Sequence, residues 1–141
     1  MKTVIRIRGE VGLDKDIKET MHRLRIRKKY SCVVLPKTSK QQDGMIKRVK
    51  NCVAYGEITK EVFEKLIEAR GQPIDKSKKI DSKKIVEELI KGKKYQELNL
   101  KPFFRLHPPR KGIDSKKHFG KEKGVLGDHG KEINKLLERM L

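Results

Sequence analysis

The chain has 141 residues, 35% hydrophobic and 40% charged, with no Trp; that supports one modest core and excludes a large buried cavity. Its 37 Lys and Arg face 19 Asp and Glu, a formal net charge of +18, and so much like charge on a small fold repels itself unless a polyanion or salt screens it. Nucleic acid, an anionic membrane surface or an acidic protein could supply the countercharge; a merely solvated surface is disfavoured, because such surfaces mix both signs near balance.

No run approaches the ~18 apolar residues of a spanning helix. The N-terminus alternates where a signal peptide would present a continuous apolar block. A cytoplasmic protein is expected. Residues 3–8 set Thr3, Ile5 and Ile7 against Val4, Arg6 and Arg8, which predicts a strand with one apolar and one cationic face. Leu13, Ile17, Met21 and Leu24 then recur at helical spacing, with Asp14 as N-cap and Asp16 and Glu19 near the positive helix end. Where that helix stops stand Arg23, Arg25, Arg27, Lys28 and Lys29. A helix C-terminus attracts one or two cations; the surplus points to phosphate.

Residues 31–35 predict a second strand, closed by Pro36 and followed by Lys37, a further RNA-contact candidate. Ser39 and Gln42 form a capping-box pair before a helix with Met45, Ile46 and Val49. Lys40, Lys47, Arg48 and Lys50 surround that apolar stripe and join the phosphate-binding candidates. A third strand runs from Cys52 to Tyr55 and ends at Gly56. The order β-α-β-α-β fills residues 1–58, and two helices covering one face of a three-stranded sheet make the class α+β.

Past residue 59 the pattern changes. Thr59 caps a helix near 60–70 carrying Val62, Phe63, Leu66 and Ile67, stopped by Gly71. After a polar stretch (72–80), Asp81 caps a helix near 82–91 with Ile85, Val86, Leu89 and Ile90. From 99 to 130 periodicity vanishes among prolines and glycines. A last amphipathic helix near 131–141 uses Ile133, Leu136, Leu137 and Met140. Within the aperiodic stretch, Arg105, His107, Arg110, Lys111, Lys116, Lys117 and His118 are further RNA-contact candidates, interspersed with Phe103, Phe104 and Phe119. Cations supply affinity for phosphates and rings stack on unpaired bases. Such a segment, ~101–128, is expected to be mobile alone and to order against RNA.

Other chemistries find little footing. Cys32, Cys52, His22, His107, His118 and His129 show no C-x₂-C or H-x₃-H spacing, so no metal or other cofactor is expected. The two thiols read as small buried hydrophobes. Asp128 and His129 have no Ser or Cys nucleophile in a recognisable setting, and His129 is expected to cap the last helix or meet a phosphate. Gly120, Gly124, Gly127 and Gly130 match neither a P-loop nor a dinucleotide fingerprint. The carboxylates are too scattered for a metal-dependent nuclease. An RNA-recognition-motif domain needs exposed aromatics on its central strands, and the first two strands have none.

Several stretches resemble one family in a constant order: VIRIRG (4–9), TMHRLRIRKKYSCVVLP (20–36), GMIKRVKNCVAYGEIT (44–59), LIEARG (66–71), FFRLHPPRKGID (103–114) and GVLGDHG (124–130). Together they resemble the large-subunit ribosomal protein family numbered thirty, whose eukaryotic relatives are numbered seven, in its archaeal form. The resemblance implies a non-enzymatic structural component of the large (50S) subunit. It implies a β-α-β-α-β core with a three-stranded antiparallel sheet, a ferredoxin-like variant, over residues 1–58. Residues 59–141 then correspond to the archaeal and eukaryotic extension.

The implied partners are 23S rRNA, with 5S rRNA nearby as an option, and neighbouring ribosomal proteins; no membrane and no small-molecule substrate are expected. The family's RNA-facing parts map onto Arg27 to Lys29, Thr38 to Lys50 and Arg105 to His118. Two departures stand out: the long basic N-terminal tail of eukaryotic members is missing, which favours an archaeal source, and Lys123 replaces a second glycine beside Gly124. A free-standing RNA-binding factor is the competing class, separable by whether the protein sediments with large subunits.

Overall fold

The computed structural model describes residues 1–9, 11–37, 39–77, 81–110, 112 and 124–141, together with the backbone of 115–118. Strand β1 (Lys2–Arg6) lies between β2 (Ser31–Leu35) and β3 (Val53–Glu57) and runs antiparallel to both. Three further strands, β4 (Phe104–Arg105), β5 (Ser115–His118) and β6 (Gly124–Asp128), come from the aperiodic stretch and extend the sheet on both sides. β4 pairs antiparallel with β2, β6 parallel with β3 and β5 parallel with β6, giving the order β4-β2-β1-β3-β6-β5.

The α+β class therefore holds, but the sheet is mixed and six-stranded where a three-stranded antiparallel one was expected. The stretch 99–130 hid its strands for physical reasons. β4 is too short to alternate, and β6 offers only Val125 and Leu126 between two glycines.

Helices cover both faces. Against one face, Met21 of α1 (Lys15–Arg23) and Ile46 of α2 (Lys40–Arg48) pack with Val4, Val33 and Val53. Against the other lie α3 (Lys60–Arg70), α4 (Ser82–Ile90) and α5 (Ile133–Met140), whose Phe63, Leu66, Leu89, Ile133 and Leu137 meet Ile5, Ile7, Val34 and Ala54. Each fully buried side chain of this kind contributes about 1.5–3 kcal/mol.

The strand read as half cationic is buried on both sides: Val4 is fully buried and Arg6 is 1% exposed. The alternation was real, but the second face meets α1 and α2 instead of solvent. β1 also stops at Arg6, short of Arg8, and β3 runs on through Gly56 to Glu57.

The caps follow local chemistry. Ser39 Oγ accepts from the Gln42 N–H at 3.2 Å while Gln42 Oε1 accepts from the Ser39 N–H at 3.1 Å, a complete capping box. Thr59 and Asp81 accept from Val62 N–H and Lys83 N–H. Asp14 occupies the N-cap of α1 in extended conformation, yet its side chain caps nothing. Helix α4 closes on Gly92, at φ +104, with the Gly92 N–H on Leu89 O and the Lys93 N–H on Glu88 O; this is the paired bonding of a Schellman end.

Candidate nucleic-acid interface

The antiparallel register gathers the end of β1, the starts of β2 and β3 and the end of β4 at one edge of the molecule. Arg6 faces Val53 and Ser31 faces Arg105. Backbone bonds lace this end together: Ile7 and Arg8 N–H donate to Cys52 O at 3.0 and 3.2 Å, Tyr30 N–H to Arg6 O at 2.7 Å and Leu106 N–H to Tyr30 O at 3.0 Å. Arg27, Lys28 and Lys29 of the loop before β2 thus sit beside Arg105 and His107. Lys47 and Arg48, in the last turn of α2, and Lys50 lead into the same end. All of these side chains are exposed.

Arg6 organises the loop from beneath. Its Nη1 donates to the carbonyls of Ile26 and Arg27, and its Nε to Arg8 O at 2.9 Å. The loop carries two non-glycine residues in the left-handed region, Arg25 at φ 66 and Tyr30 at φ 64. Arg25 follows the α1 C-cap with its N–H on His22 O and the Ile26 N–H on Met21 O, a Schellman end, the Tyr30 N–H is held by Arg6 O, and the Arg6 guanidinium clamps the carbonyls between them. Two cations lie against rings: Lys29 Nζ is 5.0 Å from the centroid of Tyr30, and Arg105 Cζ is 5.7 Å from that of Phe103. This geometry holds an exposed cation in place without neutralising it.

The segment after β4 is anchored by the last helix. His107 N–H donates to Met140 O at 3.0 Å and Arg110 N–H to Arg139 O at 2.9 Å. In return, the Arg139 guanidinium donates to Arg110 O and Gly112 O. Backbone carbonyls take up Arg139, so Arg110 and His107 keep their side chains exposed.

The other candidates stand elsewhere. Arg23, Arg25 and Lys37 line a groove beside β2; Arg23 also pairs with Glu19 at 2.8 Å, an exposed i,i+4 pair of small worth. Lys40 begins α2 at the opposite end of the sheet, near the Lys2–Asp43 ion pair of 2.7 Å. Lys111, Phe119 and the side chains of Lys116, Lys117 and His118 lie outside the described residues, as do 113, 114 and 119–123 of the stretch expected to be mobile, whereas β4, β5 and β6 fall within that stretch. Arg8, read only as part of the strand's cationic face, is exposed at the convergent end, and Lys93 and Lys94, which the sequence reading did not single out, line the groove. Arg8 was visible as the last member of the strand's alternation. The two lysines carried no signal beyond charge.

Some residues read as RNA contacts serve the core. Phe104 is fully buried and meets Phe63 edge-on, centroids 6.4 Å apart at 88°, so it cannot stack on a base. Phe103 packs half-buried against the α1/α2 side. His129 is 8% exposed and its ring nitrogen meets Val125 O; it makes no cap. Burial pushes its pKa below the usual histidine value, against the opposing pull of that carbonyl, Asp128 and Glu132, so the ring is neutral at neutral pH and suits a packing role. Both thiols are buried. Burial raises the Cys32 thiol to about 12 despite the Thr3 hydroxyl beside it, which makes it unreactive.

Among the described residues no cluster of three or more His, Cys, Asp or Glu could hold a metal ion, and no helix is long and apolar enough to cross a membrane. The profile of the family Ribosomal protein L30p/L7e matches residues 3–53. Large ribosomal subunit protein uL30 of Archaeoglobus fulgidus is 42% identical, over 99% of this chain and 99% of its own length. The uL30 proteins of Methanococcus maripaludis and Nanoarchaeum equitans are 39% and 38% identical, each over 98% of this chain and 97% of their own length. The chain belongs to the uL30 family.

Family membership makes it a structural, non-enzymatic component of the large ribosomal subunit, and hence a cytoplasmic one. These uL30 relatives are archaeal, in keeping with the archaeal form of the resemblance. The profile match ends at the first residue of β3, while the pairwise likeness continues through the helices and strands beyond it.

Proposed function

We propose that this chain binds 23S rRNA through the convergent basic end and stabilises RNA packing there, near 5S rRNA and among neighbouring subunit proteins. One observation supports this above all: the Ser31–Arg105 pairing joins the cations of residues 27–29 to those of 105–110. Lys47, Arg48 and Lys50 flank them from α2, and Arg8 from β1.

The mechanism is electrostatic and architectural. Lys and Arg neutralise phosphates where RNA strands approach one another, and the sheet keeps those cations at fixed separations. Recognition rests on RNA shape, because among the described residues no exposed aromatic platform of the sheet is available to read bases. Arg23, Arg25, Lys37, Lys40, Lys111, Lys116, Lys117 and His118 add peripheral contacts.

The test is binding to a cognate 23S rRNA fragment at several salt concentrations. With six or more phosphates neutralised, affinity should fall by about 10³ or more between 50 and 200 mM salt. The charge reversals Lys28→Glu and Arg105→Glu should each weaken binding and flatten that dependence, whereas Lys60→Glu on α3 should do neither. A salt-independent affinity, or equal losses for all three variants, would overturn the reading.

A further inference from the structure

A second feature lies along the outer edge of β2, where β4 has ended. β4 covers only Ser31 and Cys32, which leaves the edge at Val33 to Leu35 facing a groove of about 550 Å³. Single small molecules occupy sites of about 300–1,000 Å³. The groove's apolar lining includes the half-buried Leu35 and Met45, with Tyr95 beside them, while Val33 is 2% exposed and packs into the core. The rim is cationic: Arg25 and Lys37 come from the side of α1 and β2, Lys93 and Lys94 from the other, and among the described residues no Asp or Glu lines it. Two rim cations already have acidic neighbours, Arg23 with Glu19 and Lys93 with Glu88 at 2.8 Å. Arg25, Lys37 and Lys94 carry the surplus.

An apolar lining ringed by cations suits a ligand with a flat uncharged part and a phosphate. We infer that this groove receives an unpaired nucleotide of RNA, its base on that lining and its phosphates on Arg25, Lys37 and Lys94; the inference rests on the RNA-binding reading above.

The structure argues against the other occupant such a groove could take, an acidic peptide added as an extra strand. Strand addition needs free edge carbonyls, and the Tyr95 hydroxyl already donates to Val34 O. The same bond fixes Tyr95 as a wall. Arg25 lines the groove from the C′ position of α1, where the helix end holds it in the left-handed region. One wall, Gly92 to Gln96, lies outside the stretch matched by the family profile. The groove therefore needs residues beyond the profile's 3–53.

The experiment is an amide-resonance titration of the full chain with three probes: an unpaired RNA hexamer, an RNA duplex of the same length and an acidic hexapeptide. The hexamer should shift Val33 to Leu35 and Lys93 to Gln96, while the duplex should shift mainly the loop 27–29 and residues 105–110. Arg25→Gly suits the positive φ and spares the fold, and Lys94→Ala removes an exposed side chain. Each should weaken the hexamer's groove shifts about tenfold in affinity, and Lys94→Ala should leave the duplex unaffected. Groove shifts from the peptide or equally from the duplex, or none from the hexamer, would overturn the inference. Duplex binding at the basic end without groove shifts sinks it alone; no response to either RNA sinks the RNA-binding reading as well.

Discussion

Arg6 shows how far a single side chain can depart from what its position suggests. It sits in a strand on a chain of charge +18, yet its guanidinium is buried and spends its donors on three loop carbonyls. On the proposed RNA-binding reading its part is indirect, through the loop it shapes. Arg6→Met keeps most of the volume and leaves those carbonyls without their donor, at a cost of about 1–3 kcal/mol in stability. Affinity for the rRNA fragment should fall, but its salt dependence should keep its slope, because no exposed cation is lost. A slope reduced as much as by Lys28→Glu would mean that Arg6 contacts phosphate itself.

Among the elements, β4 matters more than its two residues suggest. It carries Phe104 into the core and sets Arg105 at the basic end, so packing and recognition share one short strand. Phe104→Ala should destabilise the chain by about 3–5 kcal/mol and loosen the anchor of residues 105–110. Denaturant unfolding would measure the first effect, and amide exchange at Leu106 and His107 the second; an unchanged midpoint would contradict the assigned burial.

Legibility in the sequence followed element length. The helices announced themselves through stripes such as Leu136 and Leu137 with Met140, and the capping box Ser39–Gln42 marked its helix start. β4 and β6 were illegible because their partners, Cys32 and Ala54, are remote in sequence and short strands carry no period of their own. Phe104 was misread for the same reason. Beside Arg105 it looked like a stacking ring, and only the pairing reveals the core it enters.

For the whole molecule, charge sets two opposite responses to salt. Raising ionic strength from about 0.01 M to about 0.15 M shortens the screening length from about 30 Å to about 8 Å. Self-repulsion of the free chain is then relieved, so its Tm should rise over the same range in which RNA affinity falls. A Tm that stays flat or drops, followed by calorimetry without RNA, would show that the surplus cations do not strain the free fold. Composition pointed to a polyanionic partner, and the family likeness pointed to the large ribosomal subunit. How the cations divide between the convergent end and the groove was not legible, because Arg25 and Arg27 are two positions apart and serve different places.

The fold also closes late. β6 and α5 complete a sheet whose centre is residues 2–6, and Gly56 lies so near the Gly130 carbonyl that a Cβ there would collide with it. A chain still emerging during synthesis, with residues up to Glu57 already out, would therefore present β3 as an open hydrogen-bonding border beside the bare Ile5, Ile7 and Ala54. That is a template for mispairing with other nascent copies. Premature stops upstream of residue 124 should yield aggregates in place of shortened but serviceable subunit proteins.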